Sequence, residues 1–271
     1  MARVRLDDEL VNQGICADRA DALRILMAGL VSSRGERLAS PGIRVTPGIP
    51  LHVKGRIPYV GRGGLKLAGA LDTFGVDPSG LTCLDIGCST GGFTDCLLKR
   101  GASHVVSVDV GRAQFDWGLR NDARVTLLER TNIVDVPAMS HTASFDLAVC
   151  DVSFTSIGTI LPATLELLKP DASFLTLVKP QFEAEADEVG EGGVVRDPAV
   201  RTRVLAWAID LFADNGLAPV DVCASPITGA KGNREFFLLG VRGKLDCDHV
   251  FDDAEALKAR VIMLKEKAGS L

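Results

Sequence analysis

The stretch Leu84-Asp85-Ile86-Gly87-Cys88-Ser89-Thr90-Gly91-Gly92-Phe93 decides the fold of this chain. Its apolar start reads as a strand, its glycines as a tight turn, and its end at Gly92-Phe93 as the opening of a helix. In an open α/β sheet the first such turn borders the ligand crevice. Glycine at 87, 91 and 92 lets the backbone approach a ligand closely. The next strand-like run ends in Asp109, 24 residues after Asp85, where a carboxylate accepts hydrogen bonds from two ribose hydroxyls. The dinucleotide spacing G-x-G-x-x-G is absent, and a carboxylate on the approach to the turn suits a cation better than a pyrophosphate. S-adenosylmethionine, which carries a sulfonium, an ammonium and a ribose, matches this arrangement better than NAD. A turn that only closed a βα unit would need neither Asp85 nor Asp109.

Outward from this turn, apolar runs at 81–87, 104–110, 124–129, 145–152 and 173–179 alternate with amphipathic stretches. That alternation predicts an α/β fold, a parallel sheet covered on both faces by helices. Two later runs, 219–224 and 234–241, leave nine residues between them. A crossover helix does not fit in that gap, so the pair reads as antiparallel. The pattern over 252–269 reads as a final helix, with Leu257, Val261, Ile262 and Leu264 on a face that docks on the sheet.

The front of the chain differs in character. Leu6, Leu10, Val11 and Ile15 fit one helix face, Ala20 to Leu30 a second helix, and short strands are expected at Arg44 to Val45 and Leu51 to Val53. Residues 55–67 (GRIPYVGRGGLKL) have the glycine, proline and cation content of a linker running into a helix, which puts a domain boundary near 55 to 61. Charge divides there as well. Residues 1–60 hold nine basic and six acidic residues, net +3, against 21 and 29, net −8, for 61–271. A basic front on an acidic chain is the footprint of a nucleic-acid contact.

At 46% hydrophobic and 24% charged residues, the 271-residue composition excludes wholesale disorder, collagen-like sequence and coiled coil. No apolar run reaches the roughly 18 residues of a spanning helix, and the opening MARVRLDDELVNQG turns polar where a signal peptide is apolar. Export and membrane insertion are not expected. The cysteines Cys16, Cys83, Cys88, Cys96, Cys150, Cys223 and Cys247 form no C-x-x-C pair, and an odd, scattered set fits a reducing, cytoplasmic setting. With His52, His104, His141 and His249 they show no zinc-ligand spacing, so no metal is expected.

Four charged residues fall where the predicted sheet presents its crest. The fourth strand ends Cys150-Asp151-Val152-Ser153-Phe154, and the fifth ends Val178-Lys179-Pro180-Gln181-Phe182-Glu183. Lys66 precedes the first strand in a helix, and Glu235 opens a late strand. Singly, each reads as a solvated charge, a cap or an edge-strand gatekeeper. Brought to one crevice, two lysines and two carboxylates pair, and burial with mutual repulsion makes an amine able to take a hydroxyl proton. Amine methyltransferases usually carry Asp/Asn-Pro-Pro-Tyr/Phe where this chain has Asp151-Val152-Ser153-Phe154. The missing prolines point toward an oxygen nucleophile. A ribose 2′-hydroxyl needs a proton acceptor where a soft nitrogen needs only positioning.

The chain resembles the TlyA family of rRNA 2′-O-methyltransferases, also known as hemolysins, over nearly its whole length. The resemblance is carried by Arg5-Leu6-Asp7, Gly61-Arg62-Gly63-Gly64-Leu65-Lys66-Leu67, Ser89-Thr90-Gly91-Gly92-Phe93-Thr94, Arg120-Asn121-Asp122, Glu129-Arg130-Thr131-Asn132, Asp151-Val152-Ser153-Phe154, Lys179-Pro180-Gln181-Phe182-Glu183 and Gly232-Asn233-Arg234-Glu235-Phe236. It implies a small α+β S4-like RNA-binding domain over 1–55 and a linker over 56–63. It further implies an FtsJ-like domain over 64–271 with a Rossmann-like class I methyltransferase sheet, mostly parallel with the last strand antiparallel. By resemblance Lys66, Asp151, Lys179 and Glu235 form a catalytic tetrad, with Lys179 as proton acceptor. Asp85, Gly87, Ser89, Thr90, Gly91, Gly92, Phe93, Asp109, Asn132, Ile133 and Asp151 hold S-adenosylmethionine, with Asn132 or Ile133 at the adenine. The implied target is a cytidine ribose in 16S or 23S ribosomal RNA. Arg3, Arg5, Arg19, Arg24 and Arg62 are candidate phosphate contacts. S4 segments often have Ser-Arg at the start of the second helix where this chain has Asp18-Arg19, an acidic change on the expected RNA face. The segment Val189 to Asp197 also matches, as a glycine-rich loop that closes over RNA or serves as a connection. The rival readings are a non-enzymatic S4-type ribosome-binding factor and a hemolysin.

Overall fold

The computed structural model describes residues 3–13, 15, 16, 18–55, 58–139, 142–243 and 254–271. Linker positions 56 and 57, His141, Cys247, His249 and the first two residues of the expected last helix lie outside them. The chain divides into two compact units, Met1–Pro58 and Tyr59–Leu271.

In the first unit, strand β1 (Val4–Arg5) leads directly into helix α1 (Leu6–Asn12), and α2 (Arg19–Met27) follows. Strands β2 (Val31–Ser33), β3 (Glu36–Arg37), β4 (Arg44–Val45) and β5 (His52–Val53) complete it. β1 pairs antiparallel with β4, while β2 lies between β3 and β5. Leu6, Leu10, Ala22, Leu26, Val31, Val45 and Val53 form its core. Ile15 falls beyond the end of α1, yet it packs against the same core. Asp18 is the N-cap of α2, its side chain accepting from the Asp21 amide at 2.8 Å. Serine and aspartate cap equally well, which accounts for the change seen in the sequence.

The second unit begins with α3 (Gly63–Phe74) and then alternates strand and helix: β6 (Thr82–Ile86), α4 (Gly92–Lys99), β7 (His104–Asp109), α5 (Trp117–Arg120), β8 (Val125–Glu129), β9 (Phe145–Cys150), α6 (Ile157–Leu167), β10 (Leu168–Val178), α7 (Pro180–Glu183) and α8 (Pro198–Asp214). It closes with β11 (Leu217–Ala224), β12 (Phe236–Arg242) and α9 (Ala254–Gly269). The seven strands form one sheet in the order β11-β12-β10-β9-β6-β7-β8. β12 runs antiparallel to both neighbours, β10 and β11, while the pairs among β6 to β10 are parallel. That is the expected sheet, mostly parallel with the last strand reversed.

Buried residues cover both sheet faces in two clusters. One gathers Ile86, Val108, Phe145, Phe174 and Phe212 with α6 and α8, and the other gathers Leu67, Phe93, Leu97, Leu177 and Phe237 with α3 and α4. α9 lies against α8 and edge strand β11, where Arg260 donates to the Val220 carbonyl and Lys267 pairs with Asp221. Among the described residues no helix is long and apolar enough to cross a membrane.

Candidate active site

β6 and β9 are neighbours, and the strands that follow β6 and β9 in sequence lie on opposite sides of this pair. Such a reversal opens a crevice at the strands' carboxyl ends. There a cavity of about 440 Å³ is lined by Gly87, Cys88, Ser89, Thr90, Gly92 and Phe93, and by Lys66, Asp151, Lys179 and Glu235. Its size suits a small-molecule ligand.

The glycine turn is shaped by packing as well as by the cavity. Gly87 has φ +81, and a Cβ there would lie 2.9 Å from the Asp151 carbonyl oxygen, so glycine lets the ends of β6 and β9 close on one another. Gly91, at φ +93, faces Leu119 and Phe115 instead, its absent Cβ falling 2.6 Å from Leu119 Cδ1. It does not line the cavity, in contrast to Gly87 and Gly92.

Asp85 is fully buried beneath the turn. Thr94 Oγ1 donates to its Oδ2 at 2.6 Å and lies 2.7 Å from Ser107 Oγ, while Asp85 Oδ1 has no hydrogen-bond partner among the described residues. Burial, with Asp151 and Asp109 nearby, raises this carboxyl to about 7 against the opposing Thr94 bond. Asp85 thus sits below the cavity and not on its surface. Asp109 Oδ2 accepts from the Ser89 amide and Oδ1 from the Gly111 amide, each at 2.7 Å, binding the glycine turn to the end of β7. Asn132 caps a short 3-10 turn by accepting from the Val134 amide at 3.3 Å, and Ile133 is buried in the core. Asp109 ends β7 and Asn132 and Ile133 follow β8, all three outside the residues that line the cavity.

The four charged residues do converge. Lys179 Nζ lies 2.6 Å from Asp151 Oδ1 and donates to Ser153 Oγ at 2.9 Å. Lys66 Nζ lies 2.6 Å from Glu235 Oε2 and 4.0 Å from Asp151 Oδ2. The result is a continuous run from Glu235 through Lys66 and Asp151 to Lys179. All four side chains are largely buried, the most exposed being Asp151 at 20%. Each comes from a different segment: α3, the ends of β9 and β10, and the residue before β12. Glu235 precedes a central strand, so it is no edge gatekeeper.

Sequence reasoning assigns no role to Ser153, Phe154, Gln181 or Phe182, yet all four line the cavity. Gln181 Nε2 donates to Glu235 Oε1 at 3.3 Å. Phe154 is 91% exposed with φ +64, and its ring meets Phe182 at a centroid distance of 5.1 Å. The one signal in the sequence is position, since each lies two or three residues beyond Asp151 or Lys179 at a strand end.

The candidate phosphate contacts fall into two groups. Arg5 donates twice and Arg19 once to the buried carboxylate of Asp7, each at 2.9 Å. Arg24 pairs with Asp21, Arg62 donates to the Thr228 carbonyl at 3.0 Å, and Arg3 is exposed. Among the described residues no group of three His, Cys, Asp or Glu side chains is placed to hold a metal ion.

The profile of the FtsJ-like methyltransferase family matches residues 59–242. The Bacillus subtilis protein YqxC is 46% identical over 86% of this chain and 84% of its own length. The Mycobacterium tuberculosis 16S/23S rRNA (cytidine-2′-O)-methyltransferase TlyA is 43% identical over 87% of this chain and 89% of its own. A solved structure from Streptococcus thermophilus aligns over 100% of both chains with a TM-score of 0.66 and 35% identity.

Proposed function

The chain belongs to the FtsJ-like methyltransferase family, and on that premise we propose that it methylates the 2′-oxygen of a cytidine ribose in ribosomal RNA, with S-adenosylmethionine as donor. The observation that carries this reading is the convergence of Lys66, Asp151, Lys179 and Glu235 beside the glycine turn. Relatives whose names specify cytidine 2′-O-methylation of 16S and 23S rRNA support the substrate.

The donor fits the acidic floor of the cavity. The unpaired Oδ1 of Asp85 beneath the turn and the partly exposed Asp151 favour a cation. When bound, S-adenosylmethionine supplies an electrophilic methyl group on its sulfonium. Gly87, Ser89, Thr90, Gly92 and Phe93 form the wall that receives it, and Asp109 at the end of β7 and Asn132 after β8 stand beside it for the nucleoside.

Lys179, as the free amine, takes the proton of the ribose 2′-hydroxyl and becomes an ammonium. Asp151 at 2.6 Å stabilises that charge, and Ser153 at 2.9 Å fixes its direction. Lys66 holds Asp151 in place from the other side, itself anchored by Glu235. Phe154, exposed and backed by Phe182, presents a ring on which the target base stacks. The Met1–Pro58 unit is the S4-like RNA-binding domain in this reading, with Arg3 and Arg24 on its surface as phosphate contacts.

The test uses methyl-labelled S-adenosylmethionine, purified unmodified small and large ribosomal subunits, and the Lys179→Ala variant. Label on a ribose, lowered about 10²–10⁴-fold in the variant with donor binding retained, is the expected outcome. Label on a base would sink the assignment of the tetrad. Subunit binding without label would point instead to a non-enzymatic ribosome-binding factor.

A further inference from the structure

Gln181, in α7 just beyond β10, borders two cavities. One is the 440 Å³ cavity with the four charged residues, and the other, of about 740 Å³, is shared with Phe154, Phe182 and the glycine loop at 190–193. The amide of Gln181 is oriented by its neighbour. Its Nε2 donates to Glu235 Oε1 at 3.3 Å, and the reverse orientation would set two acceptors against each other. Oε1 is therefore fixed as an acceptor on the opposite side of the amide. It is buried and has no hydrogen-bond partner among the described residues. A buried acceptor left unpaired is unfavourable, and one beside a binding cavity is explained by a ligand that completes it.

We propose that Gln181 Oε1 reads the target base by accepting from an exocyclic amine, so that cytidine is selected over uridine. The proposal rests on the 2′-O-methylation reading above. Inside a polynucleotide a cytidine offers two kinds of hydrogen-bond donor, the 2′-hydroxyl and the N4 amine. Lys179 engages the first, which leaves the second for Gln181. Uracil sets an acceptor, O4, where cytosine has the amine, and its N3–H lies one ring position away. Phe154 and Phe182 supply the apolar wall against which the flat base lies. The bond from Gln181 to Glu235 ties the reading of the base to the run of charges that ends at Lys179.

The test compares the whole chain with its Gln181→Met variant on ribosomal subunits whose mapped target nucleotide is either cytidine or uridine, scoring labelled methyl on the ribose. The native protein is expected to prefer cytidine by about 100-fold in kcat/KM. In the variant the cytidine value falls about tenfold while the uridine value rises, so the preference collapses. Opposite movements of two substrates cannot come from a damaged fold. Equal losses on both would make Gln181 a mere prop for Glu235 and overturn the proposal. Equal methylation of cytidine and uridine by the native protein would overturn it too. A native protein that leaves both riboses unmodified would instead remove the 2′-O-methylation reading itself, and the proposal with it.

Discussion

The Lys66 ammonium lies 2.6 Å from the Glu235 carboxylate, a buried pair 169 residues apart in sequence that joins α3 to the start of β12. Removing one member leaves the other charge buried with a weaker partner. Lys66→Met and Glu235→Leu are each expected to destabilise the chain by about 3 kcal/mol, and the double variant Lys66→Met/Glu235→Leu to recover most of that loss. Urea unfolding of the four members of the cycle measures the coupling. Additive losses would show that the pair holds nothing together.

Asp85 makes stability depend on pH in an unusual direction. Its carboxyl is raised to about 7 in the fold, against about 3.9 for an unfolded chain. Between those values the unfolded state has lost the proton that the folded state keeps. The contribution is therefore present below about pH 4, declines as pH rises, and is gone above about pH 7. Asp85→Asn, which keeps an acceptor for Thr94, is expected to match the native chain at pH 4 and to exceed it at pH 8 by on the order of 4 kcal/mol. A constant difference across that range, measured by urea midpoints, would contradict this account.

Phe154 holds a left-handed backbone conformation, φ +64, with 91% of its surface exposed. Neither property helps folding. Phe154→Asn is expected to be as stable as the native chain or more so by up to about 1 kcal/mol, because asparagine tolerates that conformation. If the ring carries the target base, KM for ribosomal subunits rises about tenfold in the same variant. Thermal unfolding and steady-state kinetics on one preparation separate the two effects.

The first unit mixes structural and surface arginines. Asp7, fully buried, is held at about 2 chiefly by its hydrogen bonds from Arg5, against the cost of burial and with help from Arg19. Its contribution is present above the usual carboxylate range and lost as pH falls toward 2. Arg5→Ala and Asp7→Ala are both expected to speed amide hydrogen exchange in α1 and α2, whereas Arg3→Ala leaves it unchanged. Arg3→Ala should instead lower the slope of log affinity against log salt for RNA by about 1. Faster exchange in the Arg3 variant would erase the distinction.

Strands whose apolar residues run continuously were legible in sequence, and β6, β7, β8 and β9 lie within a residue or two of the runs at 81–87, 104–110, 124–129 and 145–152. β10 was not legible at its start. It begins at Leu168, directly after α6, and its first residues, Lys169-Pro170-Asp171, have the composition of a turn. They enter the strand through an irregularity between Leu168 and Ser173, with Asp171 at φ +63, so a local pattern could not reveal them. At the site, the four charged residues were readable because strand ends and a helix placed them on one crest. The burial of Asp85 was not, because the same acidic position serves a cavity floor or a cavity wall depending on how closely α4 packs. Gln181 was hidden for a different reason: its partner Glu235 is 54 residues away, and only the fold brings the two together.

α9 does more than cover apolar surface. Among the described residues β11 has a partner strand on one side only, and Arg260 from α9 satisfies the carbonyl of Val220 while Lys267 holds Asp221. A bare strand edge is a template for pairing with another chain. The terminal helix thus acts as a guard against self-association, and a chain cut before it would be expected to aggregate through β11 even with every residue of the cavity intact.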